Sequence, residues 1–196
     1  MRRLLLKMGA GVCLMALITC AGMERIVAQQ KTEAKAGAGA TPAANPKDVA
    51  SIDAIIGALY DVISGPAGQK RDWNRLRSLF LPGARLIPTG TRPNGETGAR
   101  VLTVEDYIAQ AGPYLEGNGF FESETARRTD AFGNIAQVFS TYDSRHKAED
   151  AKPFSRGINS IQLAFQEHRW YVVTIFWDSE RPDNPIPKKY LKSRKD

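Results

Sequence analysis

An α+β domain, with helices first and a long antiparallel sheet after them, is the fold class that this sequence predicts. Three observations carry it. Between residues 45 and 114, apolar side chains recur at helical spacing. From residue 120 to 180, four runs rich in β-branched and aromatic residues follow one another. Short breaks bearing Gly, Pro, Asn or Asp separate these segments. Helices that precede a meander of this kind pack together on one side of its sheet.

The first helix opens abruptly at Asn45-Pro46-Lys47-Asp48. Asn45 is a good N-cap, Pro46 suits the first turn, and Asp48 favours the positive helix end. Val49, Ile52, Ile55, Ile56, Leu59, Tyr60 and Ile63 then share one face, up to Gly65-Pro66. A second helix is expected from the cap Asp72, carrying Trp73, Leu76, Leu79 and Phe80 and stopping at Leu81-Pro82-Gly83. Short strands follow at 84–88 and 99–102, with a turn-rich loop through Asn94-Gly95 between them. A third helix starts at Thr103, with Asp106 in a capping-box position, and closes around Gly112-Pro113. Strands at 120–131, 135–145, 157–166 and 170–180 complete the order, with Gly133-Asn134 and Glu167-His168 as hairpin turns. Some 150 residues suffice for one core, so a single domain is expected over residues 45–180.

The flanks differ in kind. Arg2, Arg3 and Lys7 precede an uncharged, mostly apolar stretch at 8–21, the pattern of a secretory signal. That stretch is shorter than the ~20 apolar residues needed to cross a bilayer, so no transmembrane segment is expected in the mature chain. Cleavage is placed after Ala28, with Ala21 as the alternative, which makes residues 1–28 a signal peptide and the protein periplasmic or secreted. Leu17-Ile18-Thr19-Cys20 resembles a lipobox, but Thr19 fits poorly before an acylated cysteine, so lipidation at Cys20 is the less favoured alternative. Residues 29–44, rich in Ala, Gly, Lys and Thr, read as a disordered tether. Residues 181–196 form a tail rich in Pro and Lys, either extended across the domain with Tyr190 and Leu191 as an anchor or disordered.

These flanks take with them the features most easily mistaken for function. Both cysteines, Cys13 and Cys20, lie in the leader, so the mature chain has no disulfide, thiolate nucleophile or Cys-based metal site. The leader also holds four of the 27 Lys and Arg and one of the 21 Asp and Glu, leaving a net charge of +3 out of +6. Much of the rest sits in the tail at Lys188, Lys189, Lys192, Arg194 and Lys195, where solvation explains it better than an anionic partner. No nucleic-acid function is expected.

The last hairpin predicts two faces. A two-residue turn at Glu167-His168 sets Phe165 against Trp170, Leu163 against Val172, Ile161 against Thr174 and Asn159 against Phe176. Phe165, Trp170, Leu163, Val172, Ile161 and Phe176 then form the core face, with polar groups only at Asn159, Thr174 and Asp178, far from the turn. The opposite face interleaves Tyr171, Val173, Ile175 and Trp177 with polar residues. It is apolar enough to suggest a partner subunit, so a homodimer through the sheet is expected.

This element order resembles the nuclear transport factor 2-like superfamily. The segments that carry the resemblance are the opening helix at 49–63, residues 72–86 with Phe80 and Gly83-Ala84-Arg85, the helix at 103–114, and the closing strands 158–163 and 170–177. It implies an NTF2-like (cystatin-like) cone, with about three N-terminal helices on a curved, mainly antiparallel sheet, often around a pocket and often dimeric. Its members include SnoaL-like and ketosteroid-isomerase-like enzymes as well as binding and assembly domains, so function must be argued from the site.

The residues exclude several chemistries. His146 and His168 fall in polar loop positions, and no His-x-x-x-His, Glu-x-x-His or Cys pair occurs, so no metal site is expected. No Gly-x-Ser-x-Gly and no phosphate-cradling glycine loop is present, and no cofactor is implied. Carboxylate and tyrosine chemistry remains. Glu124, Asp178 and Tyr60 are the candidate catalytic residues. Tyr60, Trp73, Tyr107, Tyr142, Asn159, Thr174 and Asp178 are the candidate pocket residues. Each has an ordinary alternative: a core tyrosine, a strand-surface ion pair for Glu124 with Arg127 or Arg128, or a strand-end cap for Asp178. The leading expectation is a non-catalytic domain that binds a small apolar ligand or a partner chain. The alternative is a cofactor-independent lyase or isomerase with a pocket carboxylate and tyrosine.

Overall fold

The first helical segment is two helices, not one. Asn45 caps α1 (Pro46–Val49) by accepting from the Lys47 amide, and Ser51 then caps α2 (Ile52–Ile63) by accepting from the Ala54 amide. Asp72 caps α3 (Trp73–Leu79) in the same way. Thr103 and Asp106 form a full capping box on α4 (Val104–Asn118). This helix runs past Pro113, beyond the expected stop, and its last turn is held from outside. Glu116 accepts from the Trp73 indole at 3.0 Å and from the Arg71 amide at 3.2 Å. The computed structural model describes residues 41–91 and 95–192, all of which belong to one compact unit, Ala40–Asp196. The expected leader, most of the tether and residues 92–94 and 193–196 lie outside the described residues.

Six strands form one sheet: β1 (Phe80–Thr91), β2 (Thr97–Ala99), β3 (Phe121–Phe132), β4 (Ile135–Arg145), β5 (Ser155–Gln166) and β6 (Arg169–Ser179). Their order is β2-β1-β6-β5-β4-β3, parallel between β1 and β6 and antiparallel elsewhere. The fold is thus α+β, as expected. Phe80 opens β1 instead of closing α3, because Leu81 precedes a proline and is pushed towards extended backbone. Gly83, at φ 86°, sits within the register shift between Phe80 and Arg85.

Ile55, Ile56, Leu76, Leu79 and Phe80 meet Val138, Ile161, Leu163 and Val172 in the core, each at most 2% exposed. Burying side chains of this size is worth about 1.5–3 kcal/mol apiece. Beside this core, the half-buried Arg75 makes a two-pronged bond to Asp48, at 2.7 and 3.0 Å, which ties α3 to α1.

The hairpin β5–β6 corrects the expected faces. Phe165 opposes Trp170 and Leu163 opposes Val172, but a bulge then brings Thr174 opposite Gln162, Ile175 opposite Ile161 and Trp177 opposite Asn159. One extra residue in β6 reverses the parity of everything after it. Ile175 and Trp177 therefore face the helices, while Thr174, Phe176 and Asp178 face the other side.

That outer side carries the chain's own tail. Ile186 is buried, the Tyr190 ring lies 4.9 Å from that of Phe139, and the Lys189 and Tyr190 carbonyls accept from Arg128 at 2.7 Å and Thr141 at 2.6 Å. Of the two expectations for the tail, the extended one describes residues 184–187, but Lys188–Tyr190 then form a 3-10 turn and the anchor is Tyr190, since Leu191 stays 42% exposed. Phe176 stays 43% exposed beside it.

Candidate functional site

Between α2, α4 and the inner face of the sheet lies a cavity of about 240 Å³. Its walls are mostly apolar, from Leu59 and Ile63 on α2 to Ile161, Ile175 and Trp177 on the sheet. Tyr114, 46% exposed, stands at the solvent side. Polar groups converge at one place, where Tyr60, Tyr107, Glu122, Tyr142 and Asn159 line the same cavity.

Glu122 is the group that composition and pattern did not single out. It enters β3 opposite Ser144 and shares its strand face with Glu124. Ser144 Oγ donates to Glu122 Oε2 at 2.8 Å, and Asn159 Nδ2 lies 3.4 Å from Oε1. Burial pushes its carboxyl from the ordinary 4.5 up to about 7, against the lowering effect of these two donors. No cation takes part in the shift. Burial, with no charged partner contributing, sets this value.

The tyrosines differ in what their hydroxyls do. Tyr60 OH is shared with Ser140 Oγ at 2.6 Å and receives Asn159 Nδ2 at 3.2 Å, and burial raises its pKa. Tyr142 OH lies 3.3 Å from Ser179 Oγ. The Tyr142 ring crosses β5 at Gly157, where a Cβ would fall 2.5 Å from the hydroxyl oxygen, so only glycine fits there. Tyr107 stacks edge-on against Trp177 with 6.4 Å between ring centroids. Its hydroxyl, raised in pKa by burial and then by nearby Glu122, has no hydrogen-bond partner among the described residues. Among the described residues it is a free donor on the cavity wall, as is the Tyr114 hydroxyl at the solvent side.

Of the residues expected at the site, Tyr60, Tyr107, Tyr142 and Asn159 line the cavity together, and Trp73, Thr174 and Asp178 do not. Trp73 packs on Gly112 of α4, with its indole nitrogen on Glu116. Thr174 and Asp178 lie beyond the bulge on the outer face, where Asp178 pairs with Arg181 at 2.6 Å. Glu124 stays out of the cavity, held by Arg127 at 2.6 Å. Both histidines are exposed, His146 stacked on Phe154 and His168 in the hairpin turn at φ 62°. No group of three or more His, Cys, Asp or Glu that could hold a metal occurs among the described residues.

No protein-family model matches the sequence, and neither does any curated protein. Solved structures do match. An NTF-2-like protein of unknown function from Silicibacter pomeroyi is 15% identical with a TM-score of 0.47, covering 67% of this chain and 94% of that one. The fold is similar to that of NTF2-like proteins. A protein of unknown function with a cystatin-like fold, from Nostoc punctiforme, is 13% identical with a TM-score of 0.49, covering 69% of this chain and 92% of that one. LinA is 9% identical with a TM-score of 0.49, covering 82% of this chain and 91% of that one. At such identities the likeness concerns the NTF2-like fold alone.

Proposed function

We propose that the cavity binds a compact, mainly apolar molecule and that Glu122 moves a proton on it, in the manner of a cofactor-independent isomerase or lyase. The observation that carries this proposal is a carboxyl held near pKa 7 inside an apolar cavity without a cation. Such a group costs stability and gains nothing from packing, whereas proton transfer near neutral pH favours a pKa of this size. Glu122 takes a proton from a carbon next to a ligand carbonyl and returns it elsewhere on the ligand. The unpartnered Tyr107 hydroxyl donates to the carbonyl oxygen as charge gathers there. At about 240 Å³ the cavity lies below the usual pocket range of about 300–1,000 Å³, which restricts it to small ligands.

A second reading, binding without turnover, is favoured by how few polar groups break the apolar walls. Deuterium exchange separates the two. Small cyclic ketones that raise the melting temperature are incubated with the protein in D2O. Label is expected at the carbon beside the carbonyl, and it is expected to be lost in Glu122→Gln while the thermal shift persists. A thermal shift without label would leave binding alone, and no shift with any ketone would refute both.

We also propose that the domain works outside the cytoplasm. The cationic and apolar leader pattern supports this, as does the confinement of both cysteines to residues 1–28.

A further inference from the structure

A directed chain of hydrogen bonds leads from the surface to Glu122. Arg127 grips Glu124 with contacts of 2.8, 3.0 and 2.6 Å, and also pairs with Asp53. A guanidinium only donates, so the Glu124 oxygens that it grips accept. Ser140, fully buried, donates its single hydroxyl proton to Glu124 Oε1 at 2.5 Å. The 2.6 Å contact between Ser140 and Tyr60 must then use the tyrosine proton. The Tyr60 oxygen is left as an acceptor, and Asn159 Nδ2 fills it at 3.2 Å. The second proton of the same nitrogen points to Glu122 Oε1 at 3.4 Å. Turning the amide over would set Asn159 Oδ1 against the tyrosine oxygen, acceptor against acceptor.

We propose that Glu124, which does not line the cavity, is a positioning residue for Glu122: acting through Ser140, Tyr60 and Asn159, it holds the amide nitrogen of Asn159, not its oxygen, against the Glu122 carboxyl. An amide free to turn would serve both states of that carboxyl, its oxygen accepting from the acid and its nitrogen donating to the carboxylate. A locked amide serves the carboxylate alone. The chain thus lowers the affinity of Glu122 for its proton and opposes the effect of burial. Three tyrosines surround Glu122: Tyr60 from α2, Tyr107 from α4 and Tyr142 from β4. Asp61 of α2 and Arg145 of β4 border a polar cleft that Glu122 also lines. To the cavity, β5 and β6 bring Asn159, Ile161, Ile175 and Trp177 and no charged side chain.

This inference rests on Glu122 as the working carboxyl, but its test needs no ligand. The Glu122 pKa is read by carboxyl-carbon NMR titration of the full chain, in the unaltered protein and in Glu124→Gln and Ser140→Ala. In both variants the chain loses its enforced direction, and the Glu122 pKa is expected to rise by about half a unit to one unit. Simple electrostatics predicts the opposite sign for Glu124→Gln, because removing a negative charge lowers the pKa of a neighbouring acid. Asn159→Ala sets the ceiling, and combining it with Glu124→Gln is expected to add nothing. An unchanged or lowered pKa in Glu124→Gln overturns the proposal, and Ser140→Ala decides by the same criterion should that variant not fold. A Glu122 that titrates near 4.5 in the unaltered protein would instead sink the proposed function itself.

Discussion

Replacing Glu122 by Gln should change how stability depends on pH more than it changes stability at any one pH. The folded carboxyl has a pKa of about 7, against 4.5 when unfolded. Between these values the folded protein binds more protons than the unfolded one, so stability falls as pH rises. Below pH 4.5 both states hold the proton, and Glu122 contributes no pH-dependent term. Above pH 7 both have lost it, and the penalty for the buried charge is complete. A separation of about 2.5 units corresponds to a penalty of about 3 kcal/mol, most of it accruing between pH 5 and pH 8. For a domain of this size that is a drop in melting temperature of roughly 6–12 °C. Urea unfolding at half-unit steps from pH 4.5 to 8.5, run on both proteins, gives the assay. Every other titrating group is common to the two, so the difference curve isolates Glu122. Gln opposes its own amide to the Asn159 donor in one orientation, which adds an offset but no slope. The difference is expected to shift by about 3 kcal/mol in favour of Gln as pH rises. A difference constant to within ~0.5 kcal/mol would refute a raised carboxyl in the cavity.

Two further outcomes follow from the same hydrogen bonds. Arg71 is 6% exposed and donates to the carbonyls of Ile63, Gly65, Gln69 and Leu115, so it closes the C-terminal ends of α2 and α4 together. Arg71→Met removes the donor from all four oxygens, leaving Gly65 O only the Phe120 amide, and should cost about 3–5 kcal/mol in urea unfolding, whereas a cost below ~1 kcal/mol would show that water replaces the guanidinium. Tyr60→Phe and Tyr107→Phe remove the same atom and should behave differently. The first is expected to cost about 1–2 kcal/mol, because Ser140 and Asn159 lose a partner. The second should stay within ~0.5 kcal/mol, since that hydroxyl has no hydrogen-bond partner among the described residues, but it should weaken ketone binding.

Much of the fold was legible because the signals were local. Caps at Asn45, Asp72 and Thr103, and the two-residue turn at Glu167-His168, act within a few residues of themselves, and the structure uses all four. The end of α4 was not legible, because Pro113 is a local stop signal and the groups that hold the following turn, Trp73 and Arg71, lie some 40 residues away. The tail was legible only as alternatives. Pro182, Pro185 and Pro187 exclude a helix or strand, but nothing near them names Phe139 and Thr141 as the surface they cover.

The site was half legible, and two bulges explain the half that was not. Strict alternation assigns the residues of the last hairpin to faces, and it holds only while each residue of one strand opposes one of the next. In β6 the extra residue falls after Val172, so alternation counted from the turn is right for Trp170 and Val172 and reversed from Thr174 onwards. Thr174 and Asp178 entered the expected pocket for that reason, and Ile175 and Trp177 were left out of it. In β3 a second bulge separates Glu124 from Ala126, so counting back from the Gly133-Asn134 turn gives the wrong parity for Glu122 as well. Counting from the other end would have found it. Tyr142 was already a pocket candidate, and an antiparallel partner two places beyond Glu124 puts Glu122 on the same face as Tyr142 and Ser144. Both bulges turn the strand ends that reach the cavity, so the irregularities that defeat alternation are the ones that aim Glu122 and Trp177 inward.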